Sequence, residues 1–231
     1  MINIKNLVTG YSYSPVSSPI NIEIKQGSMT ALIGINGCGK STLLKTLAGL
    51  LKPQSGEVSY TGRSRPQIAY LPQQADLDRD FPLNVYDVVS MGCWPKRNLW
   101  KRIKHQDHQN IEQALKKVNL AHLANASISE LSGGQFQRML FARLFVQQAL
   151  ILMLDEPFSG IDAETSELLI RLIQQLNQEG HTIIVVLHDN ESVANFFPES
   201  LLLTPSKNYF GPSKAVIKTW DQLNQQKKIS L

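Results

Sequence analysis

Nine consecutive residues, Gly34-Ile35-Asn36-Gly37-Cys38-Gly39-Lys40-Ser41-Thr42, constrain this chain more than any other feature. They fit G-x-x-x-x-G-K-S, a loop that joins a strand to a helix and cradles phosphate. The flanks agree, because an apolar run at 29–33 precedes the loop and a helix-forming run at 41–50 follows it. Glycines let backbone N–H groups curl around phosphate oxygens without Cβ clashes. The N-terminus of the following helix adds partial positive charge at the same point. In such a loop Lys40 reaches the β- and γ-phosphates, and the Ser41 hydroxyl ligates Mg²⁺.

Two further stretches narrow the class. Leu131-Ser132-Gly133-Gly134-Gln135 leads into a helical run in which Phe136, Leu140 and Leu144 recur four apart. Soon afterwards Leu150-Ile151-Leu152-Met153-Leu154 contains no polar residue, as suits a strand buried on both faces of a parallel sheet. Such strands end at the ligand crevice, which delivers Asp155 and Glu156 there. With these residues the sequence resembles the ATP-binding cassette (ABC) ATPases over nearly its whole length. Other motifs fall in that family's order. Tyr70-Leu71-Pro72-Gln73 is similar to the Q-loop, Ser159-Gly160-Ile161-Asp162 to the D-loop, and Val186-Leu187-His188-Asp189 to the switch-histidine loop. Tyr11 resembles the aromatic that stacks on adenine, with Tyr13 as the alternative.

The resemblance implies an α/β fold: a P-loop NTPase with a RecA-like core, an antiparallel β subdomain, and an α-helical subdomain inserted at about 76–137. Residues 1–231 would form a single nucleotide-binding domain. It further implies ATP and Mg²⁺ as cofactors. Tyr11, Gly34, Asn36, Gly37, Cys38, Gly39, Lys40, Ser41 and Thr42 would hold the nucleotide. Ser41, Gln73 and Asp155 would hold Mg²⁺ directly or through water. Glu156 would polarise the attacking water, with Gln73 and His188 completing the catalytic set and His188 contacting the γ-phosphate. Ser132, Gly133, Gly134 and Gln135 would close over the nucleotide of a second subunit. Asp162 would meet that subunit, giving a homodimer on ATP binding.

The pattern of the rest fits an alternating α/β chain. Residues 2–7, 20–24 and 58–60 read as short strands flanking the nucleotide strand, and 68–71 leads a strand into Gln73. From about 75 to 130 the pattern turns helical. Further buried strands are expected at 151–154, 183–187 and 201–203. Leu168, Leu169, Leu172, Ile173 and Leu176 mark the core face of a helix between two of them, and Gly180 stands where a helix C-terminal glycine belongs.

Composition excludes other classes. At 42% hydrophobic the chain is not disordered, and no apolar stretch approaches the ~18 residues of a membrane helix. Cys38 and Cys93 are too few and too far apart for a disulfide framework and fit a reducing cytosol. Cys38 lies near a helix N-terminus, a position that lowers a thiol's pKa and would make phosphate binding redox-sensitive; the plainer alternative is a small apolar filler. The net charge of +4 is concentrated in residues 94–104, with Trp94 and Trp100 among five Lys and Arg. The simplest reading is a solvated face with both tryptophans packed inward. Contact with anionic headgroups is the second, and a nucleic-acid patch the weakest. No nucleic-acid partner is expected. His105 and His108 have no nearby cysteines or carboxylates of clear geometry and are expected on a solvent-exposed face.

Within the family, a single cassette without a membrane span resembles an importer subunit. Residues 80–92 and 154–163 are similar to the manganese, zinc and iron importer ATPases, and the stretches at 186–189, 197–199 and 201–203 to a zinc branch. The implied partners are an integral-membrane permease, docked between Gln73 and Gly92, and indirectly a periplasmic or surface metal-binding protein. The implied location is peripheral, on the cytoplasmic face of the membrane. No regulatory domain is expected after His188. The alternatives are an iron-siderophore or haem importer ATPase, or a soluble ABC ATPase outside transport.

Overall fold

The computed structural model describes residues 1–11, 14–62, 65–73, 77–96 and 103–229. Tyr13, the predicted start of the helical stretch at 75–76, and residues 97–102 of the basic segment (Trp100 included) lie outside the described residues. The chain runs β1 (Ile2–Val8), β2 (Gly10–Tyr11), β3 (Ser14–Pro15), β4 (Ile20–Ile24) and β5 (Met29–Gly34), then α1 (Lys40–Ala48), β6 (Ser55–Tyr60) and β7 (Ile68–Leu71). Helices α2 (Val85–Ser90), α3 (His105–Lys117) and α4 (Gly133–Val146) follow. The chain continues through β8 (Ile151–Asp155), α5 (Ala163–Gln178), β9 (Thr182–Val186), α6 (Asn190–Phe196), β10 (Glu199–Leu203), β11 (Tyr209–Pro212) and α7 (Ser213–Ile229).

Six strands form the central sheet in the order β11-β10-β5-β9-β8-β7. All neighbours pair in parallel except β11, which is antiparallel to β10. Every residue of β5, β8 and β9 is buried, because the sheet lies between two apolar clusters. Ala31, Ile33, Leu152, Leu154, Ile183 and Val185 face one cluster. Leu32, Met153, Ile184 and Val186 alternate toward the other, which holds Leu43, Leu44 and Leu47 of α1. Period-two alternation with apolar residues on both faces explains the uninterrupted hydrophobic runs.

The strands expected beside the nucleotide strand belong to a separate sheet. They form an antiparallel layer in the order β4-β1-β6, with Ile2 opposite Ile24 on one side and Tyr60 on the other. β1 buries Ile2, Ile4 and Leu7 and leaves Lys5 and Asn6 exposed, a half-buried pattern that suits a sheet with one wet face. β11 and the β2–β3 hairpin were not legible, being two to four residues long.

Helices α2 and α3 each pack against α4 beyond β7. Asn84 caps α2, accepting from Asp87 N at 2.8 Å while Asp87 answers the Asn84 N–H. Trp94 departs from expectation: it is half exposed, not packed inward. His105 and His108 are exposed, and His108 Nδ1 meets the Tyr86 hydroxyl. α5 buries Leu169 and Ile173 and ends at Gly180, whose φ of 94° and N–H bond to Asn177 O fit the glycine stop.

Candidate nucleotide site

The loop after β5 is shaped by backbone that only glycine adopts cheaply. Gly34, Gly37 and Gly39 have φ of 150°, 80° and 95°. A Cβ on Gly39 would lie 2.8 Å from the Val16 side chain, so Val16 walls the loop from outside. The loop closes on Lys40, which is buried. Its Nζ donates to Gly34 O at 2.9 Å and Ile35 O at 3.1 Å. A buried ammonium requires such partners.

At the end of β8 the chain delivers two consecutive acids. The Asp155 carboxylate is 2% exposed and accepts from Ser41 Oγ at 3.0 Å and Tyr70 Oη at 3.3 Å. Burial raises its pKa above the usual carboxylate value; the two hydroxyl bonds work in the opposite direction, and the Glu156 charge adds to the rise. Glu156 turns the chain away from the strand with a left-handed φ of 49°. Such a conformation is costly for a residue with a Cβ and concentrates at functional sites. Both its oxygens are engaged: His188 Nε2 lies 2.5 Å from Oε1, and Gln73 Nε2 donates to Oε2 at 2.7 Å.

These residues share one cleft of about 450 Å³, lined by Tyr11, Val16, Asn36, Gly37, Gly39, Lys40, Ser41, Thr42, Gln73, Glu156 and His188. Tyr11 is half exposed at its rim. The structure thus brings together the phosphate loop, Q-loop glutamine, strand-end glutamate and histidine from distant parts of the chain. Gln73 reaches Glu156, not the Ser41–Asp155 pair. Sequence reading missed Val16 and Tyr70. The position of Tyr70 three residues before Gln73 was visible, but the β7–β8 register that aims it at Asp155 was not.

Ser132, Gly133, Gly134 and Gln135 do not line this cleft. Ser132 caps α4, its Oγ accepting from Gln135 N at 3.2 Å while Gln135 Oε1 accepts from Ser132 N at 2.9 Å. Ser132 and Gly133 are exposed. Asp162 is exposed as well, but its carboxylate serves its own chain by accepting from Thr165 N and Thr165 Oγ1, each at 2.8 Å. Those bonds hold its pKa below the usual value. A Cβ on Gly134 would lie 2.8 Å from both Asp162 Oδ2 and Thr165 Oγ1, so the start of α4 sits directly on the cap of α5.

Cys38 fits the small apolar filler and not the low-pKa thiol. Burial pushes its thiol pKa up, and the Lys40 charge beside it only partly opposes the rise. The thiol packs in the apolar cluster with Leu43 and Leu44. A protonated, buried thiol is inert. Activity is therefore expected to survive treatment of the folded protein with iodoacetamide. Rapid inactivation, with the label mapped to Cys38, would show the thiol to be reactive.

The comparisons with known proteins agree with this geometry. The sequence profile of the ABC transporter family matches residues 17–159. The chain is 39% identical over 219 residues to the manganese transport system ATP-binding protein MntB of Bacillus subtilis (strain 168), spanning 93% of this chain and 88% of that one. It is 40% identical over 206 residues to the zinc transport system ATP-binding protein TroB of Treponema pallidum (strain Nichols), spanning 87% and 77%. In three dimensions it is similar to a dimeric ATP-binding cassette in a post-hydrolysis state bound to ADP and Pi, with TM-score 0.77, 26% identity, and coverage of 90% and 98%. The chain belongs to the ABC transporter family and is one of its ATP-hydrolysing nucleotide-binding cassettes.

Proposed function

We propose that this cassette hydrolyses ATP to drive import of a divalent transition-metal ion through a separate membrane permease. The observation that carries the reading is the likeness, over about nine-tenths of the chain, to the ATP-binding subunits of manganese and zinc transport systems. The stretches at 186–189, 197–199 and 201–203 favour zinc as cargo, and the Bacillus relative makes manganese the alternative. Among the described residues no helix is long and apolar enough to cross a membrane, which accords with a peripheral subunit.

The mechanism follows from the cleft. Phosphoryl transfer asks a protein mainly for positioning and charge neutralisation. Lys40 and the loop amides would hold the β- and γ-phosphates, with Tyr11 stacking on the base. Ser41 Oγ and the Asp155 carboxylate are adjacent hard oxygen donors of the kind Mg²⁺ takes. A buried carboxylate pushed toward its neutral form gains from a cation beside it, so these residues fit the metal. Mg²⁺, when bound, would neutralise charge on the phosphates. Glu156 would accept the proton of the attacking water once it parts from His188 or Gln73. His188, freed from Glu156, would donate to the γ-phosphate. The exposed Ser132-Gly133 turn would present a hydroxyl and helix N-terminal amides to the nucleotide of a second copy. Asp162 and its cap would lie against that copy.

The test is growth under metal limitation of the source cell carrying Glu156→Gln in place of the wild type. Rescue by added zinc, with low cellular zinc, assigns a zinc importer. Rescue by manganese keeps the mechanism and changes the cargo. Normal growth and normal cell metals, in a strain lacking redundant importers, would sink the metal reading.

A further inference from the structure

Strand β7 and the loop that follows it present two donors, three residues apart, to the two consecutive acids where β8 ends. Gln73 Nε2 meets Glu156 Oε2 and Tyr70 Oη meets Asp155 Oδ2. The parallel register explains the second contact. Tyr70 stands opposite Met153, so its side chain lies on the face that Asp155 occupies two residues further on. Asp155 is almost fully buried, so solvent does not serve its second oxygen. Ser41 holds one carboxylate oxygen and Tyr70 the other, which fixes the plane of the group.

We propose that Tyr70 is a positioning residue for the metal-holding pair. Its hydroxyl turns the Asp155 carboxylate so that Oδ1 keeps the Ser41 proton and the Ser41 lone pairs stay free for Mg²⁺. The inference rests on the reading above that Ser41 and Asp155 hold Mg²⁺. The Tyr70 hydroxyl is the donor of this contact, at 3.3 Å from Asp155 Oδ2. Groups that orient a metal ligand from behind typically change metal affinity by ~10–100-fold when removed. Phe at 70 keeps the ring that packs against the α1 cluster and removes only the donor.

The experiment titrates Mg²⁺ into the whole protein with a fluorescent ATP analogue and reads nucleotide affinity by anisotropy, with parallel titrations in EDTA. For Tyr70→Phe the affinity in EDTA should match wild type. The Mg²⁺ concentration giving half of the metal-dependent gain should rise ~10-fold. Wild-type Mg²⁺ dependence in Tyr70→Phe overturns the inference. Loss of EDTA affinity also overturns it, since that marks Tyr70 as a residue of the fold. Asp155→Asn, run alongside, separates the two readings. If it loses the Mg²⁺ dependence while Tyr70→Phe keeps it, only the role of Tyr70 fails; if it keeps the dependence, the metal site itself is misassigned.

Discussion

Glu156→Gln is expected to slow ATP turnover by ~10²–10⁴-fold, the usual contribution of a positioned base, while ATP still binds. The substitution is nearly isosteric and retains the left-handed backbone at 156, so the cleft keeps its shape. The new amide can still meet Gln73, but it no longer offers a carboxylate to His188 or to water. Bound ATP then persists between two copies. Light scattering of the variant should show a monomer without nucleotide and a dimer with saturating ATP and Mg²⁺. The similar cassette bound to ADP and Pi is itself dimeric. Turnover within a few-fold of wild type would remove Glu156 from its role. A mass that stays monomeric with ATP would argue against self-pairing through the Ser132 turn.

Gly34→Ala should be the most damaging single methyl in the nucleotide loop. Its φ of 150° suits glycine, and the added Cβ would lie 2.6 Å from Leu203 O and 2.7 Å from Cys38 Sγ. The first neighbour is backbone of β10, paired with Gly34 itself, and cannot swing away. Strain and overpacking, at ~1–3 kcal/mol each, together come to about 4 kcal/mol. For a chain of this length, where 1 kcal/mol moves Tm by ~2–4 °C, melting should fall by about 10 °C. Gly37→Ala is the control. Its φ is 80°, but a Cβ there meets nothing within 4 Å, so only strain of ~1–2 kcal/mol is incurred. Equal melting shifts in the two variants would show that the contact with β10 is unimportant.

Much of this architecture can be read directly from the chain, for reasons that differ by element. The phosphate loop is legible because it is local: glycine spacing, the lysine and the flanking strand and helix lie within a few residues of one another. Strands β5, β8 and β9 are legible because burial on both faces leaves them almost wholly apolar, with Thr30, Asp155 and Thr182 the polar exceptions. The partnership of Tyr70 with Asp155 is not local. It depends on the register of β7 against β8, and no pattern within either strand encodes that offset. For Cys38 two readings stood open for a related reason: proximity to a helix N-terminus shows in the sequence, whereas the apolar cluster around the thiol is assembled from distant strands. Trp94 failed because aromaticity signals burial only on average. Asp162 carries a visible capping pattern with Thr165, a role within the chain that its place in the D-loop had eclipsed.

Lys40 has a consequence for how the cassette cycles. Its ammonium is already satisfied by the carbonyls of its own loop, Gly34 O and Ile35 O. Nucleotide entry is then an exchange of oxygen partners around a cation that stays in place. Departure of product reverses the exchange and strands no bare charge in the protein interior. The same two carbonyls tether the ammonium to its own loop, so the cation's position is set by the fold.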